Sequence, residues 1–220
     1  MREALDNVAH DLRTPLTRLR TGAELALRDA DHPQRIRDAL ADTIEDSERV
    51  LQMLKTLMDI SEAETGVMKL NPTKVDLSEV ARQAIDLYQD VAEERGVRLL
   101  THLAVGVTIS GDHNRLNQVV ANLVDNAIKY TPAGGQVEIT TTREDPWASL
   151  MVKDNGVGIS VQDLPRIWER LYRADQSRSE RGLGLGLSFV KAIVEAHAGR
   201  AEVQSKLGAG ATFIVRLPLG

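Results

Sequence analysis

The sequence predicts an α+β multidomain protein in which an antiparallel helical hairpin precedes an α/β sandwich. Over residues 1–66, apolar side chains recur at alternating steps of three and four, which is the heptad spacing of packed helices. From residue 67 onward, short alternating segments typical of strands are mixed with longer helical segments. A chain of 220 residues can hold two such domains, so we expect the hairpin at 1–66 and the sandwich at 67–220.

The composition narrows the class of protein. The net charge of −5 argues against nucleic-acid binding, which would need a basic stripe. The chain has no cysteine, which excludes a disulfide framework and a thiolate zinc site and suits the cytoplasm. No apolar run approaches the ~18–20 residues that span a bilayer. Because Met1 falls inside a helical pattern already under way, we expect the chain to be a piece of a longer protein.

The predicted hairpin consists of two helices joined by a short turn. The first apolar seam comprises Leu5, Ala9, Leu12, Leu16, Leu19, Ala23 and Ala26. The second comprises Ile36, Leu40, Thr43, Ser47, Val50, Leu54 and Leu57. Pro33 and two acids between the seams predict the turn. Two helices leave one apolar face open, so we expect a homodimer that forms a four-helix bundle. The alternative is packing of the hairpin on the rest of its own chain.

The elements of the second domain follow from alternation, turn residues and helix caps. Asp76 and Glu79 form a predicted capping box, and Asp112 is a second predicted cap. Helices are predicted from Leu77 to about Arg95, from Asp112 through Lys129, and over Gly186–Ala198. Strands are predicted at Val67–Leu70 with Val75, Val97–Leu103, Gln136–Thr142, Ser149–Lys153, Arg200–Ser205 and Ala211–Leu217.

One histidine lies beside the first seam. His10 follows Ala9, and one helical step turns about 100°, so the imidazole should be exposed. An imidazole accepts a phosphoryl group well when one nitrogen is free and the other is held by a partner. Asp11 could accept a proton or orient the ring, and Thr14 shares the helix face of His10. Pro15 should bend the helix one turn later. These residues predict a phosphoryl-acceptor site.

Two asparagines share a face of the predicted helix that ends near Lys129. Asn122 and Asn126 are four residues apart, and amide oxygens are ligands that suit Mg²⁺. Lys129 lies on the adjoining part of that face and can reach a phosphate. Apolar neighbours such as Val119 and Leu123 should anchor the opposite side. The pattern predicts a magnesium–phosphate site.

Two glycine motifs complete the candidate site. Asp154 ends a predicted strand and could accept a hydrogen bond from an amino group such as that of adenine, and Gly156 and Gly158 permit close approach to a planar ligand. Gly182, Gly184 and Gly186 precede a helix, whose free amides can bind an anion. No Gly-Lys-Ser/Thr follows, so this is not a Walker loop, and the spacing does not fit a Rossmann fingerprint.

The order of these motifs resembles that of the sensor histidine kinases of two-component systems. His10-Asp11-Leu12-Arg13-Thr14-Pro15-Leu16 resembles the H box, and Asn122 to Tyr130 the N box. Asp154 to Gly158 resembles the first glycine box, Ile167 to Arg173 the F box, and Gly182 to Gly186 the second glycine box. The resemblance covers essentially all 220 residues. It implies a dimerisation and phosphotransfer hairpin followed by a Bergerat-type ATP-binding domain, with ATP and Mg²⁺ as cofactors.

The resemblance also implies residue roles. Asn126 would be the Mg²⁺ ligand with help from Asn122, and Asp154 the adenine partner. The other nucleotide-binding residues that it implies are Lys129, Tyr130, Gly156, Gly158, Arg173, Gly182, Gly184 and Gly186. Residues from about Leu171 to Gly184 resemble the mobile ATP lid. The chain departs from the family where Trp168 and Leu171 replace two phenylalanines, and where Leu183 replaces a small polar residue.

The implied reaction is phosphorylation of His10 and transfer to an aspartate of a response regulator receiver domain. Thr14, paired with Asp11, resembles the residue that positions water when such enzymes dephosphorylate the regulator. The fragment would lie on the cytoplasmic side of a membrane-anchored protein. Two alternatives remain open. An ATP hydrolase of the gyrase and mismatch-repair type would need a glutamate base where Asn122 stands, and a non-catalytic scaffold would have no use for His10.

Overall fold

The computed structural model describes residues 16–27, 32–174 and 184–220. Contacts between Cα atoms divide the chain into two compact units, Met1–Asp59 and Ile60–Gly220. The predicted domain boundary after residue 66 stays a prediction. Four predicted site residues lie outside the described residues: His10, Asp11, Thr14 and Gly182. None of the helices in the described ranges has the length and apolar character that crossing a membrane requires.

The described residues of the first unit are almost entirely helical. Helix α1 covers residues 16–27, and helix α2, Pro33–Glu64, begins in this unit. The two helices pack closely at Gly22, where an added Cβ would lie 2.6 Å from Thr43 Oγ1 and 3.4 Å from the Ala39 carbonyl. Large apolar side chains nevertheless remain exposed along α2. They are Leu40, Ile44, Leu51, Leu54 and Met58.

In the second unit, the residues that the structure describes form two sheets. Strands β1 (Thr73–Asp76) and β3 (Thr108–Gly111) form an antiparallel pair. The larger sheet has the order β2-β4-β5-β7-β6. Its strands are β2 (Arg98–Leu103), β4 (Gln136–Glu144), β5 (Trp147–Asp154), β6 (Arg200–Ser205) and β7 (Ala211–Pro218). Only the β2–β4 pairing of this sheet is parallel.

Three helices pack on one face of the larger sheet: α3 (Leu77–Glu94), α4 (His113–Tyr130) and α5 (Gly186–Ala196). The strands alternate, so Ile139, Val152 and Phe213, which stand side by side in register, all point into the core. From the helices, Leu123 and Ile193 are fully buried. This helix-on-sheet layering confirms the predicted α/β sandwich.

Aspartates begin two of the helices, as predicted. The Asp76 carboxylate accepts from the Ser78 and Glu79 amides. Asp112 accepts from the amides of Asn114 and Arg115 and, through its other oxygen, from that of Asn71. Burial pushes the pKa of Asp112 upward, but these three amides outweigh it and the pKa is lowered.

Some element predictions were wrong in detail. Residues 67–70 are not a strand, and β1 begins only at Thr73. Strand β3 was missed because four residues are too few to show a period. Helix α5 ends at Ala196 rather than Ala198. Glu79 pairs with Arg82 of its own helix, so only the Asp76 half of the predicted capping box is observed.

Candidate nucleotide-binding site

The two asparagines of α4 face the beginning of α5. Asn122 Nδ2 donates to the Gln118 carbonyl at 2.7 Å, which fixes the orientation of the amide and directs Oδ1 away from the helix. A Cβ added to Gly186 would lie 2.8 Å from that Oδ1 and 3.7 Å from Asn126 Nδ2. The structure therefore brings together three of the predicted site residues from two separate motifs.

The face of α4 opposite the asparagines holds the helix in place. Its side chains are buried in the core: Leu116, Val119, Val120, Leu123, Val124, Ala127 and Ile128. Because this face is fully packed, α4 has one rotational setting, and in that setting Asn122 and Asn126 point toward α5. The apolar pattern thus decides where the polar groups lie.

Asp154 is the last residue of β5 and is 6% exposed. Its Oδ1 accepts from the backbone amides of Gly156 at 2.9 Å and Ala211 at 3.2 Å. Burial raises the pKa of this carboxyl, and the backbone amides oppose the rise without reversing it. Both bonds are made by Oδ1, and a carboxylate has a second oxygen with which to accept from a ligand amino group.

The loop after Asp154 packs so tightly that glycine is required. A Cβ on Gly156 would overlap the Tyr130 carbonyl, which accepts from the Val157 amide at 3.1 Å. Gly158 has φ of +67°, and a Cβ there would overlap the Lys206 carbonyl. The predicted close approach at these glycines is thus to protein backbone on both sides of the loop. Tyr130 enters the site through its carbonyl.

The turn between β6 and β7 packs against the same loop, and sequence reasoning assigned it no role. The Gly208 amide donates to the Val157 carbonyl at 2.7 Å. Ser205 Oγ accepts from the Ile159 amide at 2.8 Å and donates to the Gly210 carbonyl at 2.7 Å. Gly210 has φ of +82°, and a Cβ there would overlap the Asp154 carbonyl. The Gly208-Ala209-Gly210 spacing was the signal that could have predicted this wall.

The two ends of the predicted lid lie side by side. The Leu171 amide donates to the Gly184 carbonyl at 2.9 Å, and both residues are left-handed, with φ of +61° and +67°. A Cβ on Gly184 would lie 2.7 Å from the Tyr172 carbonyl. Trp168, which replaces a phenylalanine of the family, meets Phe213 edge to face with ring centroids 6.0 Å apart.

Lys129 and Arg173, the two cationic residues predicted to bind phosphate, both interact with other residues of the protein. The Lys129 ammonium pairs with Asp125, one helical turn earlier. Arg173 is half-buried and follows directly on Tyr172. Their contacts with a phosphate stay predictions.

The donor set fits a nucleotide with a hard cation. Asn122 and Asn126 offer amide oxygens beside the start of α5, and Mg²⁺ prefers oxygen ligands in small number because it keeps several waters. The amides at the beginning of α5 are suited to phosphate. Asp154 is buried at the end of β5, beside a loop shaped by glycines, and this arrangement suits a flat base with an amino group. The residues present therefore match the group that the motifs imply.

Comparison with known families identifies the class of protein. Residues 111–220 match the sequence model of the family described as Histidine kinase-, DNA gyrase B-, and HSP90-like ATPase. Residues 1–66 match that of the His Kinase A (phospho-acceptor) domain. The first match alone covers half of the chain. The chain belongs to the sensor histidine kinases.

Individual relatives agree with this assignment. The chain is 30% identical over 220 residues to the sensor protein SrrB of Staphylococcus aureus, covering 99% of this chain and 38% of SrrB. It is similar to full-length ShkA, solved in complex with AMPPNP, with a TM-score of 0.74 and 27% identity over 98% of this chain and 45% of ShkA. The fold also matches histidine kinase ThkA, solved in complex with the response regulator protein TrrA, with a TM-score of 0.73. That likeness has 21% identity and covers 99% of this chain and 61% of the other. The chain thus spans less than half the length of SrrB.

Proposed function

We propose that this chain is the catalytic core of a sensor histidine kinase that transfers the γ-phosphoryl group of Mg-ATP to its own His10. The observation that carries the proposal is the meeting of Asn122, Asn126 and Gly186 at the start of α5 in a chain whose first 66 residues match a phospho-acceptor domain. A phospho-acceptor domain beside an ATP site implies that the phosphoryl group is transferred from ATP to the histidine of that domain.

The proposed roles follow from the chemistry of each group. Asp154 accepts from the adenine amino group, and the glycine loop beside it admits the flat base. Asn126, helped by Asn122, holds Mg²⁺, which neutralises charge on the phosphates. Lys129, Arg173 and the amides at the glycine-rich start of α5 bind phosphate oxygens, and Gly182 and Gly184 belong to the same segment.

In the transfer step, a neutral imidazole nitrogen of His10 attacks the γ-phosphorus. A nitrogen–phosphorus bond forms, and the bond from that phosphorus to the β,γ-bridging oxygen breaks. ADP leaves with the bond's electron pair, and Asp11 takes the imidazole proton. Phosphotransfer to a receiver-domain aspartate then regenerates His10. The complex of ThkA with TrrA supports a partner of this kind.

The same helix face is proposed to serve dephosphorylation of the regulator. Thr14 follows His10 by four residues, one turn on the predicted helix, and has a hydroxyl that can hold a water molecule. Thr14→Ala should lower phosphatase activity while self-labelling stays within a few-fold. Asp11→Asn should do the reverse, because general-base help is typically worth ~10²–10⁴-fold. Loss of both activities in Thr14→Ala, or intact labelling in Asp11→Asn, would refute this division.

The assembly is proposed to be a homodimer formed by the hairpin, on the cytoplasmic side of a longer membrane-anchored protein. The exposed apolar side chains of α2, such as Ile44 and Leu51, support a helical partner in the bundle. An ATP hydrolase of the gyrase type is disfavoured because Asn122, which lacks a titratable proton acceptor, stands where that reaction needs a base.

The test is incubation with radiolabelled ATP and Mg²⁺. Wild type should label itself, and the label should be acid-labile and alkali-stable, as a phosphoramidate is. His10→Gln should not label, while it should bind AMPPNP as wild type does by calorimetry. Undiminished labelling in His10→Gln would overturn the assignment of the acceptor.

A further inference from the structure

The segment that leads from the glycine loop to Arg173 is held by a cluster of side chains that the motifs do not explain. Ser160 Oγ donates to Asp163 Oδ2 at 2.7 Å, and the Asp163 amide donates back to Ser160 Oγ at 3.2 Å. The Tyr172 hydroxyl donates to the other carboxylate oxygen, Oδ1. Asp163 therefore joins residue 160, two positions after Gly158, to residue 172, one position before Arg173.

Tyr172 is held on its ring face as well as at its hydroxyl. The Arg166 guanidinium lies over the ring, 4.2 Å from the centroid, and its Nε is 3.5 Å from Glu169 Oε2. The Tyr172 amide also donates to the Glu169 carbonyl at 3.3 Å. A side chain fixed at its edge and its face leaves its own backbone little freedom to turn.

The backbone next to Tyr172 needs such support. Leu171 has φ of +61°, a left-handed conformation that a leucine rarely adopts, and its amide bonds to the Gly184 carbonyl. A non-glycine residue keeps this conformation only when its surroundings hold it there. The Leu171 side chain is buried, and the Tyr172 side chain is held by Asp163 and Arg166. These contacts fix the backbone direction in which the chain continues to Arg173.

Charge agrees with this geometry. The hydroxyls of Tyr172 and Ser160 stabilise the carboxylate and lower the pKa of Asp163. The bond to Asp163 correspondingly raises the pKa of Tyr172. At neutral pH the pair is therefore a carboxylate with a neutral phenol donor, and a charge-assisted bond of this type is stronger than one between neutral groups.

We infer that Asp163 is a positioning residue for phosphate recognition, which acts through Tyr172 to aim Arg173 at the terminal phosphate of the nucleotide. The inference rests on the proposed function. A backbone that is already fixed loses less entropy when Arg173 binds phosphate. Because ADP lacks the terminal phosphate, the gain in affinity should be larger for ATP than for ADP. Loss of the Asp163–Tyr172 bond should not alter binding of the base at Asp154.

The test compares Tyr172→Phe, Asp163→Ala and the matched control Tyr88→Phe, all in the full 220-residue chain. Tyr172→Phe keeps the ring beneath Arg166 and removes only the bond to Asp163, and Tyr88→Phe removes a phenol from α3. The readouts are the calorimetric affinities for AMPPNP and ADP with Mg²⁺ and the initial rate of self-labelling at saturating ATP.

We expect Tyr172→Phe and Asp163→Ala each to lower AMPPNP affinity and labelling rate by about threefold to tenfold, which is the loss expected of one hydrogen bond. ADP affinity should stay within about twofold, and Tyr88→Phe should match wild type. The double variant should be no worse than Asp163→Ala alone, because Asp163→Ala already removes the bond from Tyr172. In an Arg173→Ala background, Tyr172→Phe should have no further effect.

Equal losses for AMPPNP and ADP would show a merely structural cluster and overturn the inference, as would wild-type behaviour of both variants. A further loss in the Arg173→Ala background would overturn it too. If wild type itself neither binds AMPPNP nor labels, the proposed function fails instead, so the two failures are distinguishable.

Discussion

Helices α2 and α4 differ in how much of their apolar surface is exposed. Along α2, Leu51 is 62% exposed and Ile44 is 61% exposed. In α4, Leu123 has no exposed surface, and three helices close one face of the sheet. The second unit completes its own core, whereas the hairpin presents an apolar face that a monomer would leave in water. The difference predicts that assembly belongs to the hairpin and ligand binding to the second unit.

The largest effect should come from separating the two regions. Residues 67–220 alone should be a monomer that still binds ATP, and the full chain should be a dimer, because the exposed apolar face of α2 is removed with the hairpin. Light scattering at stated concentrations checks the mass, and calorimetry checks binding. A dimeric 67–220 fragment would show that assembly does not depend on the hairpin.

The next effect separates buried from exposed leucines. Leu123→Ala should lower the free energy of unfolding of the second unit by roughly 2–5 kcal/mol, the usual cost of a core cavity. Leu87 is 68% exposed on α3, and Leu87→Ala should change that free energy by about 0.5 kcal/mol or less. Urea unfolding followed by circular dichroism measures both.

Leu51 sharpens this comparison because it is as exposed as Leu87 but lies on α2. Leu51→Ala should weaken the dimer, measured by sedimentation over a dilution series, and Leu87→Ala should not. If the two variants have the same dimer dissociation constant, the exposed face of α2 is not the dimer surface.

A smaller effect concerns Asp154. Asp154→Asn should weaken ATP binding by about 1.5–3 kcal/mol, tenfold or more, since a charge-assisted bond to the base is lost. Because its pKa is raised in the folded protein, the carboxyl favours folding below its ordinary pKa and loses that contribution as pH rises through the raised value. Asp154→Asn should therefore not destabilise the protein at neutral pH.

The pH dependence gives a second measurement at this site. As pH falls, wild-type ATP affinity should decline at a higher pH than an ordinary aspartate would give, and Asp154→Asn should lack that decline. Asn126→Ala provides the control, since it should abolish the Mg²⁺ dependence of binding and keep the decline. Wild-type affinity in either variant would remove that residue from the site.

The smallest effect concerns an ion pair on the surface of the second unit. Arg170 donates to both carboxylate oxygens of Glu64, the last residue of α2, and the two side chains are 35% and 48% exposed. Screening by water limits such pairs, so Glu64→Gln should cost about 1 kcal/mol or less in thermal or urea unfolding. Salt should reduce the difference from wild type. A loss of several kcal/mol would mean that the pair is more shielded than its exposure indicates.

Sequence reasoning succeeded where a local rule decides the outcome. Asp76 and Asp112 each cap a helix because the cap depends on amides two and three residues away. The face of α4 that carries Asn122 could be predicted because the helical period fixes which residues are opposite Leu123. The family assignment followed from the order of such motifs along the chain.

The prediction failed where the outcome depends on residues far apart in sequence. Ala211 donates to Asp154 across 57 positions, and no local pattern predicts that bond. His197, to which the sequence motifs assign no role, is buried: its Nε2 accepts from the Asp112 amide at 2.9 Å and its Nδ1 donates to the Ile193 carbonyl at 2.8 Å. Strand β3 exists because it pairs with β1, and neither strand is long enough to show its period alone.

The walls around Asp154 are made of main chain, and this has a consequence for drug resistance. At Gly156, Gly158 and Gly210, any added side chain would overlap a carbonyl of the protein itself. A competitive inhibitor that rests against this wall therefore contacts positions at which few substitutions are compatible with the fold. Resistant substitutions should then occur at other residues that contact the inhibitor, and a compound that contacts mainly this main-chain wall should lose potency least.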